Sequence, residues 1–181
     1  MNKIIILLLL IIAKPSLAQF TSANLQAAGL TCAMCSKAVN KSLEKLSFVQ
    51  KVTSDIQTSS FIITFKRDGP VDFDALKKAV ADAGFSIAKL KVTGNFSGIG
   101  IEKDMHVQID GKTFHFINTG KQILDGEKTL VIADKDFISS KEFKKISAAT
   151  KLPCIQTGKA GTCCIKDGIL ENTRVYHVTI G

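Results

Sequence analysis

The succession of helical and strand patterns between residues 22 and 92 constrains the fold more than any other feature of this chain. Apolar residues recur with helical spacing over about residues 34–47 and again over 72–83. Strand patterns stand before, between and after these helices, as a first strand leading into Gly29 and then residues 48–56, 61–65 and 85–92. The segment therefore predicts a βαββαβ order in an α+β fold.

A Cys-x-x-Cys motif, Cys32-Ala33-Met34-Cys35, stands where the first predicted helix begins. The N–H groups at a helix N-terminus lack partners inside the helix, and they favour a thiolate over a thiol. Two thiolates suit a soft cation such as Cu(I), Zn(II) or Hg(II), and they do not suit Mg(II) or Ca(II). Because a closed structural zinc site has four ligands, two ligands leave the ion open to exchange. The motif predicts metal capture and transfer.

The same spacing has other interpretations, namely a redox pair, half of a zinc site, or a disulfide that only staples the loop. A thiol–disulfide oxidoreductase is the main alternative function. No Pro lies between the two cysteines and no Trp precedes them, and the βαββαβ order differs from a thioredoxin fold. We therefore favour metal binding without enzymatic turnover.

These features together resemble the heavy-metal-associated domain family over about residues 20–92. Members carry Gly-Met-Thr-Cys-x-x-Cys in a ferredoxin-like fold, and here residues 29–35 match that motif with Leu30 at the Met position. Among members, the segment Ala81-Asp82-Ala83-Gly84-Phe85 is most similar to periplasmic mercury-binding proteins, followed by copper chaperones and copper-ATPase domains. Because Leu and Met have similar volumes, we expect Leu30 to leave metal binding intact.

The resemblance implies functional roles for several residues. Cys32 and Cys35 would be the metal ligands, Thr31 would help to fix the loop, and Phe85 would pack beside the site. Cu(I) is the first candidate ion, with Hg(II) and Zn(II) as alternatives, since the motif itself does not distinguish them. The implied partner is a protein that gives or receives the metal, such as a membrane transporter or a P-type ATPase domain.

Residues 1–18 have the composition of a secretory signal peptide. Lys3 gives a positive start, residues 4–13 form an apolar run, and Ser16-Leu17-Ala18 is a small-x-small cleavage site. This run is too short to span a bilayer, which takes about 20 residues. The segment predicts export across the inner membrane to the periplasm or beyond, without stable membrane insertion after cleavage. An uncleaved membrane anchor is the alternative.

Charge limits the classes of partner. The chain carries a formal net charge of +8, and removal of residues 1–18 takes away Lys3 and Lys14 and no acidic residue, which leaves +6. Since no basic stripe is interleaved with aromatic residues, nucleic acid is not an expected partner. An acidic docking protein or an anionic envelope surface fits a basic exported protein better.

The glycines and small polar residues at Thr93–Gly98 predict a break in the strand pattern and a boundary between domains at 19–93 and 94–181. Beyond it, two strand patterns flank the turn dipeptide Asp110-Gly111. The full predicted order is strands at 105–109, 112–116 and 128–133, a helix with a capping box at Ser139–Glu142, and strands at 163–170 and 174–180. This order is that of a smaller, mostly antiparallel β domain, an OB-like barrel.

The other three cysteines, Cys154, Cys163 and Cys164, lie in this second half. They predict either a second metal site or a disulfide from Cys154 to Cys163 or Cys164, and a thiol-exchange role is a further alternative. The chain has five cysteines, so at least one thiol has no partner within the chain.

The register of the predicted hairpin pairs His106 with His115. Directly opposed side chains have Cβ atoms about 4.5–5.5 Å apart, close enough for two imidazoles to hold one Zn(II) or Cu(II) ion weakly. The alternative is a solvated polar face on which two neutral histidines meet. His177 has the alternation to point the same way, but we expect that only a barrel would bring the last strand beside the hairpin.

Overall fold

The computed structural model describes residues 19–67 and 69–181, and the predicted signal peptide at residues 1–18 lies outside this range. Strands and helices alternate along the described residues. In chain order they are β1 (Gln19–Ala28), α1 (Ala33–Glu44), β2 (Val49–Asp55), β3 (Ser60–Phe65), α2 (Phe73–Asp82), β4 (Ser86–Ile101), β5 (Met105–Ile109), β6 (Lys112–Phe116), β7 (Gln122–Ile132), α3 (Ser140–Ser147), α4 (Cys154–Thr157), α5 (Thr162–Ile165) and β8 (Val175–Ile180).

The first six elements confirm the predicted βαββαβ order. Val39 and Leu43 bury one side of α1, as their helical spacing predicts. The carboxylate of Asp72 accepts a hydrogen bond from Ala75 N–H and so caps α2. Each of these helices therefore begins and packs for reasons that are visible in the local sequence.

All eight strands join one mixed sheet in the order β2-β3-β1-β4-β7-β8-β6-β5. Strands β6 and β8 run parallel, and the other neighbours are antiparallel. The predicted OB-like barrel is not confirmed, because the later strands extend the sheet of the first half. The length of β4 explains this, since its first part pairs with β1 and its later part continues along β7.

The predicted break at Thr93–Gly98 is a bulge inside β4 and not a linker. The register of β4 against β7 shifts between Phe96 and Ile99, and Gly98 has a φ of +65°. A glycine adopts this left-handed conformation without steric cost, and an inserted residue bends the strand without ending it. The strand therefore crosses the predicted domain boundary.

The second half confirms the hairpin and corrects one strand. Asp110 and Gly111 both have positive φ, as a two-residue type I′ turn requires, and His106 pairs with His115 as predicted. The strand predicted at 163–170 is wrong, because Thr162–Ile165 forms the short helix α5. Gly168 N–H then donates to Ile165 O, which turns the chain back toward β8. Both sides of β8 are already paired, by β6 and β7, so no strand position remains there.

The two faces of the sheet carry different cores. Tyr176 and Val178 of β8 join the large core with the residues that bury α1 and α2. Val175 and His177 alternate with them and point to the other face, where Val175 joins a small core under α4 and α5. The small core also contains Cys154 and Cys164. The second half thus adds a separate, partly polar interior on the face away from α1 and α2.

Within residues 19–67 and 69–181, every helix is too short or too polar to cross a bilayer.

Candidate metal centres

Cys32 and Cys35, hereafter the surface pair, lie at the start of α1. Gly29, with a φ of +77°, turns the chain after β1, and Cys32 follows as the extended N-cap residue of the helix. Cys35 N–H donates a hydrogen bond to Cys32 Sγ over 3.3 Å. Cys32 is exposed and Cys35 is half-buried, so both sulfurs are within reach of a partner protein. The structure therefore places one thiol before the helix and one in its first turn, as predicted.

The two thiols of the surface pair differ in acidity. The hydrogen bond from the Cys35 thiol, and then the backbone N–H groups of Cys35 and Met34, lower the pKa of Cys32. The shared hydrogen bond with Cys32 instead raises the pKa of Cys35. Cys32 is thus the thiol of the pair that ionises first. A thiophilic cation can replace the remaining thiol protons and neutralise both thiolates at once.

The predicted roles of the residues around the surface pair stay predictions. Leu30 and Phe85 are partly buried against the large core. Among the described residues the exposed Thr31 side chain makes no hydrogen bond, so its loop-fixing role stays a prediction. Ser59, which the sequence analysis missed, donates through its hydroxyl to Leu30 O, while Ala27 N–H donates to Ser59 O. A positive φ at Ser59 marks the tight turn that brings it to the loop, and such turns leave no clear periodic signal.

The three histidines of the chain stand side by side on adjacent strands. His106 pairs with His115 across β5 and β6, and His115 pairs with His177 across the parallel strands β6 and β8. The expectation that His177 would need a barrel is wrong, because the sheet order itself places β8 beside β6. His106 is 5% exposed and the other two are 0% exposed, so the solvated polar face is also wrong.

Helices α4 and α5 bring three cysteines to the histidines. Cys154 Sγ lies 3.5 Å from His177 Nε2 and 3.8 Å from both His106 Nε2 and His115 Nδ1. Cys164 Sγ lies 3.3 Å from His106 Nε2 and 3.3 Å from Cys163 Sγ. Two predicted sites therefore form one, hereafter the His/Cys cluster, whose members are His106, His115, His177, Cys154, Cys163 and Cys164. No disulfide links its thiols in the structure.

In each histidine of the cluster, the ring nitrogen that faces away from the cysteines contacts an aspartate carboxylate. His106 Nδ1 lies 2.6 Å from Asp167 Oδ2, His177 Nδ1 lies 2.5 Å from Asp134 Oδ1, and His115 Nε2 lies 3.3 Å from Asp104 Oδ1. A carboxylate accepts the hydrogen of the ring nitrogen that it contacts, so the opposite nitrogen presents its lone pair to the sulfurs. The sequence analysis missed these aspartates because they lie just outside strands or helices. Asp134 and Asp167 are also far along the chain from the histidines that they contact.

The surroundings favour the neutral forms of Cys154, Cys164 and His115. Burial raises the pKa of Cys154 and of Cys164. Burial, and then the neighbouring His177 and His106, lower the pKa of His115 to about 4. Burial acts to raise the pKa of Cys163, but hydrogen bonds with Cys164 and Cys154 outweigh it and lower the pKa. Cys163, which is half-buried, is thus the thiol of the cluster most ready to ionise.

An ion-pair network joins the cluster to α2. Asp134, which holds His177, also accepts a hydrogen bond from Arg174 Nη2 over 2.9 Å. Arg174 Nε donates to Asp74 Oδ2 over 2.8 Å, and the Tyr176 hydroxyl donates to the same carboxylate over 3.0 Å. The position of His177 is therefore linked to a helix of the first six elements.

Comparison with known proteins concerns the first half of the chain. The model of the heavy-metal-associated domain matches residues 25–86. The mercuric transport protein periplasmic component of Serratia marcescens is 31% identical over 74 residues, which are 41% of this chain and 80% of that protein. The residues of the His/Cys cluster lie outside the segment that the family model matches.

Two solved structures are also similar to part of this chain. Oxidized MerP from Ralstonia metallidurans CH34 is 32% identical, with coverage of 39% of this chain and 96% of its own and a TM-score of 0.33. The CopZ metallochaperone is 19% identical, with coverage of 38% and 100% and a TM-score of 0.35.

Proposed function

Because the chain belongs to the heavy-metal-associated domain family, we propose that Cys32 and Cys35 capture a soft metal ion and pass it to another protein by ligand exchange. The observation that carries the proposal is the position of both thiols at the exposed start of α1. No third His, Cys, Asp or Glu of the described residues converges on them. An ion held there stays open to an incoming ligand.

The number of ligands narrows the choice of ion. Zn(II) requires about four ligands, whereas Cu(I) and Hg(II) are stable with two thiolates. The likeness to a mercuric transport component supports Hg(II), and Cu(I) has the same ligand preference. The transferred ion is therefore Cu(I) or Hg(II), and Zn(II) is the weakest candidate at this pair.

Transfer proceeds by exchange of thiolate ligands. Binding of the cation displaces the thiol protons that remain on the pair and makes both sulfurs thiolate ligands. A partner thiolate then adds as a third ligand, one sulfur of the pair leaves and takes up a proton, and the second sulfur follows. Cys32 is the more exposed of the two thiols, so an incoming ligand reaches the ion most easily from its side.

We also propose that the protein is exported and that it delivers the ion to an acceptor protein. The composition of residues 1–18 and the periplasmic relative support a location outside the cytosol. Lys37 and Lys51 line an open groove beside Ala33, next to the surface pair. Basic side chains there suit an acidic docking face on a membrane transporter or a P-type ATPase domain.

A Cu(I) competition assay tests the proposal. Reduced protein comprising residues 19–181 is titrated against a Cu(I) chelator, beside the Cys32→Ser, Cys35→Ser double variant and the Cys163→Ser control. We expect the double variant to bind one equivalent fewer and the control to keep it. Unchanged stoichiometry and affinity in the double variant would refute metal capture by the surface pair. Insulin reduction that requires the pair would assign it to thiol–disulfide exchange instead.

Phe85 offers a finer test of the site. If its ring shields the bound ion, Phe85→Ala will speed metal transfer to a chelator without changing the stoichiometry. Stopped-flow transfer measures this rate. The matched control is Phe48→Ala, because Phe48 is also partly buried against the core but follows the far end of α1. Equal rates in the two variants would place Phe85 outside the site.

A further inference from the structure

We propose that the His/Cys cluster is a resident metal site for a borderline dication, with Zn(II) as the first choice and Cys154, His106, His115 and His177 as ligands. It is distinct from the surface pair in ligand set, burial and place in the fold. The inference does not depend on metal capture by Cys32 and Cys35.

The spacing of the ligand atoms fits tetrahedral coordination. Zn–N bonds of about 2.05 Å and Zn–S bonds of about 2.3 Å at tetrahedral angles give N···S separations of about 3.6 Å. Cys154 Sγ lies 3.5, 3.8 and 3.8 Å from the inward nitrogens of the three histidines. The ligand atoms of His106, His115 and Cys154 also lie within 4.8 Å of one another. One ion can therefore reach His106, His115 and Cys154 with small adjustments. His177 lies outside that group and contacts it through Cys154, so its ring must move toward the other two imidazoles to become the fourth ligand.

The protons available in the cluster are too few for its acceptors. With neutral imidazoles, the three carboxylates fix three inward nitrogens as lone-pair acceptors. The Cys164 thiol can donate to His106 Nε2. The Cys154 thiol has one proton but contacts all three nitrogens, so it can donate to only one neutral imidazole at a time. A buried acceptor without a partner is costly, and a cation would satisfy all three imidazoles together.

The negative charges around the cluster also favour binding of a dication over a monovalent ion. Asp104, Asp134 and Asp167 each contact a cluster histidine. Arg174 offsets the charge at Asp134, but it shares its own charge with Asp74. The shell is therefore negative, and binding as a thiolate adds a further negative charge at Cys154. A dication balances this shell better than a monovalent ion.

The mixed imidazole and thiolate set distinguishes this ion from the transferred one. Imidazole suits Zn(II), whereas Cu(I) prefers all-sulfur ligands such as the surface pair. Cys154 is 2% exposed and Cys164 is 0% exposed, so an ion held there is enclosed. The half-buried Cys163 touches Cys164 and is the more exposed of these two thiols. An enclosed ion with four protein ligands is retained and does not exchange readily.

Zn(II) competition in the Cys32→Ser, Cys35→Ser background tests the proposal. We expect one tightly bound Zn(II) per chain. Adding Cys154→Ser should remove it, adding Asp134→Asn should weaken it about 10–100-fold, and adding Cys163→Ser should leave it in place. Absence of bound Zn(II), or equal affinity with and without Cys154, would overturn the site.

Two spectroscopic measurements avoid any mutation within the cluster. Co(II) bound to the same background should show the intense visible absorption of tetrahedral coordination with a thiolate-to-metal charge-transfer band. On Zn(II) addition, the imidazole nitrogen signals of His106, His115 and His177 should shift together. An octahedral Co(II) spectrum, unshifted imidazoles, or preference for Cu(I) over Zn(II) would each overturn the assignment.

Discussion

The surface pair and the His/Cys cluster use the same thiol chemistry in opposite settings. Cys32 is exposed at a helix start, and among residues 19–67 and 69–181 no third His, Cys, Asp or Glu converges on it and Cys35. Cys154 is buried among three imidazoles, each oriented by an aspartate. The difference teaches that the same thiol group suits different tasks according to the number of ligands, the burial and the outer hydrogen bonds around it, which is why we propose transfer at the first site and retention at the second.

The largest expected effect is the stability that Zn(II) adds through the His/Cys cluster. An ion that binds only the folded chain at a thousandfold excess over its Kd adds about 4 kcal/mol to the free energy of unfolding. Urea denaturation with and without Zn(II) measures this gain. The Cys32→Ser, Cys35→Ser double variant should keep the gain, and Cys154→Ser should lose it. A gain that depends on the surface pair would reverse the roles of the two regions.

A second, smaller effect concerns the polar support under the cluster. Arg174→Met leaves the Asp134 carboxylate, which is 5% exposed, with His177 but without its cation. Breaking a buried pair costs several kcal/mol, and since Arg174 is itself partly exposed we expect a loss of about 2 kcal/mol in the metal-free protein. The control is Lys78→Met, which removes an exposed pair with Asp82 and should cost less than about 0.5 kcal/mol. Equal losses in the two variants would show that the network does not support the cluster.

The dependence of stability on pH should identify Asp74 as the outer end of that network. Burial raises the pKa of Asp74. The hydrogen bond from Arg174, the positive charge of Arg174 and the hydrogen bond from the Tyr176 hydroxyl together outweigh burial and lower this pKa below its ordinary value of 3.8. The folded state then holds fewer protons than the unfolded state, so stability is full above 3.8 and is lost as pH falls toward the folded pKa. Because the carboxylate is partly exposed, the change is below about 1 kcal/mol.

Urea denaturation of metal-free wild type and Asp74→Asn across acidic pH measures this change. The two stability curves should converge as the pH falls, because protonation gives the wild type a neutral group at the same position. Curves that stay parallel would exclude Asp74 as the source of the acid-dependent loss.

Local sequence predicted the surface pair but not the complete cluster. The Cys-x-x-Cys motif, its helix and the hairpin with His106 opposite His115 all depend on neighbouring residues. His177 joins them because β8 lies parallel to β6, a long-range pairing that periodicity does not encode. Asp167 reaches His106 across 61 positions of the chain. A site assembled by sheet order and loops therefore appears only when the fold is known.

Two predictions for the second half, the strand at 163–170 and the OB-like barrel, differ from the structure. The pattern at 163–170 predicts a strand, but the segment folds as α5 and a turn, which bury Cys164 and Ile169 in the small core. The expected barrel would require the sheet to close on itself. Instead the bulged strand β4 carries the sheet from one half of the chain into the other.

The smallest expected effect is on the fold when the surface pair is changed. Cys32 caps α1 by accepting a hydrogen bond from Cys35 N–H, and serine is a strong N-cap residue. Cys32→Ser should therefore change the free energy of unfolding of the metal-free protein by less than about 0.5 kcal/mol, whereas Cys32→Ala should cost roughly 0.5 kcal/mol more. Both variants should lose tight Cu(I) binding, since neither retains two sulfurs. Urea denaturation beside Cu(I) competition makes both measurements on the same samples. A serine variant that unfolds as easily as the alanine variant would mean that the Cys32 sulfur is not a helix cap, and that the surface pair is held in place by the loop from Gly29 to Thr31 alone.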